Sequence, residues 1–164
     1  LLAVLLAVLN MLRKSAFPND AILGVAHDGA VRDMSRPPKT QEIPGLKMYR
    51  FDAPLYFGNA NYFRHRVIQI VEESKEPIHW FLWDAETITA LDATSGQMLL
   101  DVIDELRSRH IVFAVARMKG SVRSVVHKTH RLNRVLQHAP HYTSIGHAIE
   151  AYKQIYDEPQ DTTS

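Results

Sequence analysis

The sequence predicts an α/β fold in which neighbouring strands run parallel. Three observations carry this. Two continuous apolar runs, residues 78–83 and 111–116, read as strands covered on both faces. Amphipathic stretches with apolar residues at spacings of three and four surround them. The two kinds of segment alternate, and alternation requires parallel neighbours joined by right-handed crossovers.

The elements follow in order. Residues 1–12 are almost wholly apolar and are followed at once by Arg13 and Lys14. A signal peptide would put charges before its apolar run. A full membrane helix needs about 20 apolar residues. We expect the end of a truncated transmembrane helix with a juxtamembrane linker over 1–14, its basic pair on the cytoplasmic side. Pro18-Asn19-Asp20 ends this helix. Residues 21–25 form a short strand. Residues 27–44, polar and proline-rich, form a loop with a weak strand near 30–34. A strand over 46–51 follows, a turn at Asp52-Ala53-Pro54, and an extended piece at 55–57.

A helix is predicted over 59–74, with Ala60, Phe63, Val67, Ile70 and Val71 inward and Asn59 or Asn61 as its cap. The strand at 78–83 comes next. The helix over 95–109 carries Met98, Leu99, Val102, Ile103 and Leu106 on one stripe. After the strand at 111–116, a third helix starts near Gly120-Ser121 and runs to Pro140, with Val122, Val126, Leu132 and Leu136 on one side. A last helix spans 145–156. We expect a folded domain over 15–157 and a disordered polar tail over 158–164.

Composition narrows the function. With 46% apolar and 23% charged residues the chain is globular, and a net charge of +1 gives no bulk argument for nucleic acid. The absence of cysteine excludes disulfides, thiol catalysis and Cys-based zinc sites. Gly24 and Gly29 have the outer spacing of a phosphate loop, but Ala30-Val31 stand where Lys and Ser/Thr are needed. The pairs His127/His130 and His138/His141 have no acidic neighbour between 117 and 149, so no metal site is predicted.

The turn Leu91-Asp92-Ala93-Thr94-Ser95-Gly96 is the main candidate site. Thr94 and Gln97 have capping-box spacing. A helix N-terminus also tolerates phosphate, so Thr94 could be both a cap and a phospho-acceptor. No Gly-x-Ser-x-Gly elbow is present, and no activated nucleophile is identified; no catalytic residue is predicted. Charge is also uneven. Residues 117–134 hold Arg117, Lys119, Arg123, Lys128, Arg131 and Arg134 and no acid, while 77–106 hold six acids and no Lys or Arg. The two blocks are either solvated faces or a basic surface suited to an anionic headgroup, a phosphate or an acidic partner.

Taken together these segments resemble a STAS domain, and more narrowly the C-terminal cytoplasmic STAS domain of a SulP-type anion transporter. The resemblance rests on the apolar stub with Arg13-Lys14, on Tyr-Arg-Phe-Asp-Ala-Pro-Leu-Tyr-Phe-Gly-Asn-Ala at 49–60, on Ile-Thr-Ala-Leu-Asp-Ala-Thr at 88–94, and on Arg-Met-Lys-Gly-Ser-Val-Arg at 117–123. It implies a mixed sheet of about four to five strands with helices packed mainly on one face. It implies a non-enzymatic regulatory and interaction domain at the cytoplasmic face of the cell membrane. The partners implied are the transporter's own transmembrane domain and a cytosolic regulatory protein, with no nucleic acid. In the antagonist branch of the family the residue at the Thr94 position is the kinase target, after the Asp92 position; this chain has Ser95 where that branch usually has glycine. Some members bind guanine or adenine nucleotides. A GTP or ATP site would draw on helix starts at Asn59, Asn61 and Tyr62, at Thr94, and at Lys119, Gly120 and Ser121. A stand-alone anti-sigma factor antagonist is the further alternative.

Overall fold

A computed structural model describes residues 1–156. The tail expected to be disordered, 158–164, lies outside the described residues.

The chain forms α1 (Leu2–Ala16), β1 (Asp20–Ala26), β2 (Val31–Asp33), β3 (Thr40–Gln41), β4 (Leu46–Phe51), α2 (Phe57–Glu72), β5 (Trp80–Asp84), α3 (Ala93–Ser108), β6 (Val112–Ala116), α4 (Gly120–Lys128), α5 (His130–Leu136), β7 (His141–Tyr142) and α6 (Ile145–Tyr156). Among the described residues there is one seven-stranded sheet of order β2-β1-β4-β5-β6-β7, with β3 also pairing β1. Strands β4 to β7 run parallel, and β1 is antiparallel to β2, β3 and β4. The expected mixed sheet is therefore present, with more strands than four or five. The additional ones are pieces of two or three residues.

β5, Trp-Phe-Leu-Trp-Asp, is buried at every residue, which is why its run is apolar without alternation. Phe81 and Trp83 point to one face, where α2, α3, α4 and α5 pack through Phe63, Val67, Leu99, Val102, Val122 and Leu132. Trp80 and Leu82 point to the other, where, among the described residues, α6 is the one helix that packs, through Ile145, Ala148 and Tyr152. Helices thus lie mainly on one face. Two predicted elements differ in form. The third helix is two helices, broken at Thr129 (φ −97°, ψ 97°), whose hydroxyl donates to the Val125 carbonyl at 3.1 Å. A threonine that bonds its i−4 carbonyl competes with the helix ladder, and its β-branch adds crowding. The extended piece at 55–57 ends early, since Phe57 is already helical.

Gly45 marks a close approach. Its φ is +76°, and its carbonyl accepts from both His79 and Trp80 N–H groups. A Cβ there would collide with the Tyr152 hydroxyl, which donates to the Pro44 carbonyl at 2.8 Å.

α1 has no buried residue. Among the described residues no helix is long and apolar enough to cross a membrane. The placement of α1 is nonetheless informative. β1 begins beside the end of β4, since Asp20 pairs with Phe51. Helices α2, α3 and α4 start just after β4, β5 and β6 end. The foot of α1 and the mouths of these three helices therefore share one edge of the sheet, at the carboxyl ends of its parallel strands.

Candidate functional site

At this edge the turn before α3 is built around Asp92. Its backbone is extended (φ −95°, ψ 175°), as the residue before a first helical turn must be. Its carboxylate accepts from the Ser95 N–H at 2.8 Å. The Asp92 N–H in turn donates to the Ser95 hydroxyl at 3.0 Å, closing a reciprocal box. That hydroxyl lies 2.7 Å from the Asp92 carboxylate and 3.0 Å from the Leu55 carbonyl, and Ser95 is fully buried. The cap is therefore Asp92 with Ser95, and not Thr94 with Gln97. Thr94 is the second residue of the helix, past the position from which a side chain can cap it. Gln97 instead donates to Asp101 at 2.9 Å. Thr94 is exposed, while Ser95 is not reachable from solvent.

Asp92 also reaches the neighbouring helix. Its second oxygen accepts from the Phe57 N–H, the first of α2, at 2.8 Å. One carboxylate thus satisfies orphan donors at two helix mouths, where both dipoles favour a negative charge. Partial burial by itself would raise the pKa of Asp92. The N–H groups of Ser95, Phe57 and Thr94, with the Ser95 hydroxyl, outweigh it and hold the carboxyl below its ordinary value.

The α2 mouth is in turn joined to α1. The residue preceding α2 is Tyr56, and Asn59 reaches back to accept from its N–H at 3.0 Å. The Asn59 amide donates to the Pro54 carbonyl at 2.9 Å and lies 3.5 Å from the Ser15 carbonyl. The Ser15 and Tyr56 hydroxyls are hydrogen-bonded, and Phe17 stacks edge-on against Tyr62 at 5.3 Å. Neither Asn59 nor Asn61 is the cap; Asn59 is buried and acts from the third helical position. Phe57 stays 71% exposed beside this junction.

Farther along the edge, Asp84 ends β5 with its side chain only 1% exposed. It accepts from Arg117 at 3.0 and 2.5 Å, and Arg117 also pairs with Glu86. Arg117 has φ 58°, uncommon for a residue with a Cβ, and is held there by this pairing and by its N–H, which donates to the Tyr142 carbonyl at 2.9 Å. The α4 mouth has no side-chain cap; Lys119 and Gly120 are exposed, and the Ser121 hydroxyl is 3.4 Å from the Thr89 carbonyl.

The structure therefore brings the three proposed helix starts to one edge but uses their residues unequally. Asn59 is consumed by backbone groups, and Tyr62 packs on Phe17 and Phe51. Asn61, Thr94, Lys119, Gly120 and Ser121 face solvent. Sequence reasoning missed Ser15, Tyr56, Phe57 and the Asp84–Arg117 pair. An acid closing an apolar run and an arginine closing the next one was a signal for that pair. The role of Ser15 had none, because it depends on a contact across 41 residues. Among the described residues no three acidic or histidine side chains converge as metal ligands.

Comparison with known proteins adds four findings. The STAS domain family matches residues 37–148. The chain is 37% identical over 140 residues to a probable sulfate transporter of Mycobacterium tuberculosis (strain H37Rv), covering 82% of this chain and 24% of that protein. Among solved structures it is similar to the murine Slc26a9 anion transporter in the inward-facing state, with a TM-score of 0.81 at 19% identity over 90% of this chain and 24% of the other. It is also similar to the SulP transporter STAS domain from Vibrio cholerae, with a TM-score of 0.58 at 16% identity over 77% of this chain and 94% of that one. The chain thus spans about a quarter of the length of the sulfate transporter it matches.

Proposed function

The chain belongs to the STAS domain family, and from that premise we propose that it is the regulatory and interaction domain at the cytoplasmic face of a sulfate or related anion transporter. In this reading α1 leads toward the membrane part, which covers its exposed apolar surface. The edge carrying the foot of α1 and the mouths of α2, α3 and α4 faces that part. The partner is the transporter's own transmembrane domain, and transport itself takes place there.

One observation carries the proposal: Asp92 grips the first turns of α2 and α3 together, and the first turn of α2 holds α1 through Asn59, Tyr56 and Ser15. A change at the exposed Thr94 therefore has a short physical route to α1. A phosphate on Thr94 adds about −2 charge one helical residue from the Asp92 box. It competes with Asp92 for the same N–H groups and repels the carboxylate. The hold on Phe57 weakens, and with it the seating of α1. Such a modification biases the membrane part between states instead of carrying out chemistry.

A bound GTP or ATP fits this edge less well. A nucleotide phosphate at the paired mouths of α2 and α3 would meet the Asp92 carboxylate already there. The test is anion uptake by the full-length transporter with Thr94→Glu and Thr94→Ala. We expect Thr94→Glu to change the uptake rate several-fold and Thr94→Ala to leave it near wild type. Equal uptake and equal partner binding by all three proteins would refute the route through Thr94.

A further inference from the structure

The basic segment singled out in the sequence borders a cavity that the regulatory edge does not use. It lies where α4 breaks into α5, beside β7 at the open end of the sheet, and has a volume of about 350 Å³. Its floor is apolar, made by Val115, Met118, Val126 and Leu136. Its rim carries Arg123, His127 and His141. The register pairs Val115 with His141, which places that ring on the face of the sheet covered by α2 to α5, over the cavity.

Among the described residues no acidic side chain lines the cavity. Arg123 is exposed, and no carboxylate pairs with it among the described residues. His127 and His141 each donate Nδ1–H, to Asn133 Oδ1 at 3.0 Å and to the Ala139 carbonyl at 2.7 Å; the Nε2 of a neutral ring is then an acceptor, so Arg123 is the rim group that can donate to an anion. Lys119, Lys128, Arg131 and Arg134 stand nearby on α4, α5 and the turn before them, in a stretch without one acid from 117 to 149. The local field is therefore positive and draws anions toward the rim.

We infer that this cavity binds a small organic monocarboxylate with an apolar body. The forked guanidinium of Arg123 matches a carboxylate in two parallel hydrogen bonds. The four floor residues cover an aromatic ring or a short branched chain. The volume is near the lower limit of small-molecule sites, which suits a ligand much smaller than a nucleotide. Inorganic sulfate would leave the floor uncovered, and a neutral apolar molecule would leave Arg123 unpaired. The inference does not depend on the reading of Thr94.

The experiment is a titration of the full ¹⁵N-labelled chain, in nanodiscs of neutral lipid, with benzoate, benzyl alcohol and sulfate. We expect benzoate to give saturable amide shifts confined to residues 115–143. Arg123→Gln should weaken it by about 10-fold or more, the size expected for a lost hydrogen bond to a charged group. Arg64→Gln, exposed on α2 and outside both the cavity lining and the basic stretch, should leave benzoate affinity unchanged. Benzyl alcohol and sulfate should each bind at least about 10-fold more weakly than benzoate. Four results would overturn the site: no saturable shift, shifts scattered over the surface, equal affinity for benzyl alcohol, or equal affinity for sulfate. Arg123→Gln affinity matching wild type would do the same. Because Arg123 is exposed, unchanged amide positions in β4 and β5 will confirm that the variant keeps its fold.

Discussion

Replacing Asp92 by alanine isolates the carboxylate that joins two helix mouths. The loss can be built from its contacts. Removing the cap bond to Ser95 N–H costs about 1 kcal/mol in a typical helix. The charge also faces two helix dipoles, each worth about 0.3–1 kcal/mol. Water can replace the bond to Phe57 N–H, because Phe57 is exposed. Ser95 loses its carboxylate contact but keeps the Leu55 carbonyl and the Asp92 N–H. The total for Asp92→Ala is about 2–3 kcal/mol, or about 5–10 °C in Tm for a chain of this length. Asp92→Asn keeps one cap bond and loses the charge, so about 1 kcal/mol is expected. Thermal unfolding followed by near-ultraviolet circular dichroism, in a non-ionic detergent that covers α1, gives both values. The pH dependence adds a second check. The folded-state pKa of Asp92 lies below its ordinary value of 3.8, so its contribution is complete above that pH and is lost as pH falls through the folded pKa. The gap between wild type and Asp92→Ala should therefore be constant from neutral pH down to the ordinary value and shrink below it. An alanine variant within about 0.5 kcal/mol of wild type at pH 7 would refute the two-mouth reasoning.

Three further substitutions test neighbouring parts of the argument. Gly45→Ala should destabilise by about 2–3 kcal/mol, combining left-handed strain with loss of the Tyr152–Pro44 bond, and hydrogen exchange should show α6 opening first. Asp84→Ala should cost about 2 kcal/mol in urea unfolding, below the 3–5 of a fully buried pair because Arg117 is 30% exposed. Adding Arg117→Gly to that variant should recover part of the loss, since glycine accepts the positive φ that Arg117 then holds without its anchor. Asn59→Ala should cost about 2 kcal/mol and speed amide exchange in the last turn of α1, because Pro54 and Tyr56 backbone groups lose their partner.

The sequence by itself determined the alternation of strand and helix, the parallel centre of the sheet and the apolar stripes of α2 and α3. These depend on local periodicity and on burial that a run such as Trp-Phe-Leu-Trp reveals by its composition. It also determined which turn to inspect, because Asp, Thr, Ser and Gly before an amphipathic stretch all favour a helix start. Only the tertiary structure decided how that turn is used. Asp92 became the cap, and Ser95 its buried partner, because Leu55 and Phe57 arrive from another element with a carbonyl and an N–H to satisfy. Thr94 was left outside by the same packing. The joining of α1 to α2 through Ser15, Tyr56 and Asn59, and the union of Asp84 with Arg117 across 33 residues, are equally absent from any local pattern. Periodicity reports which way a side chain faces; which partner meets it there is set by strand order and register, which bring distant segments to one edge.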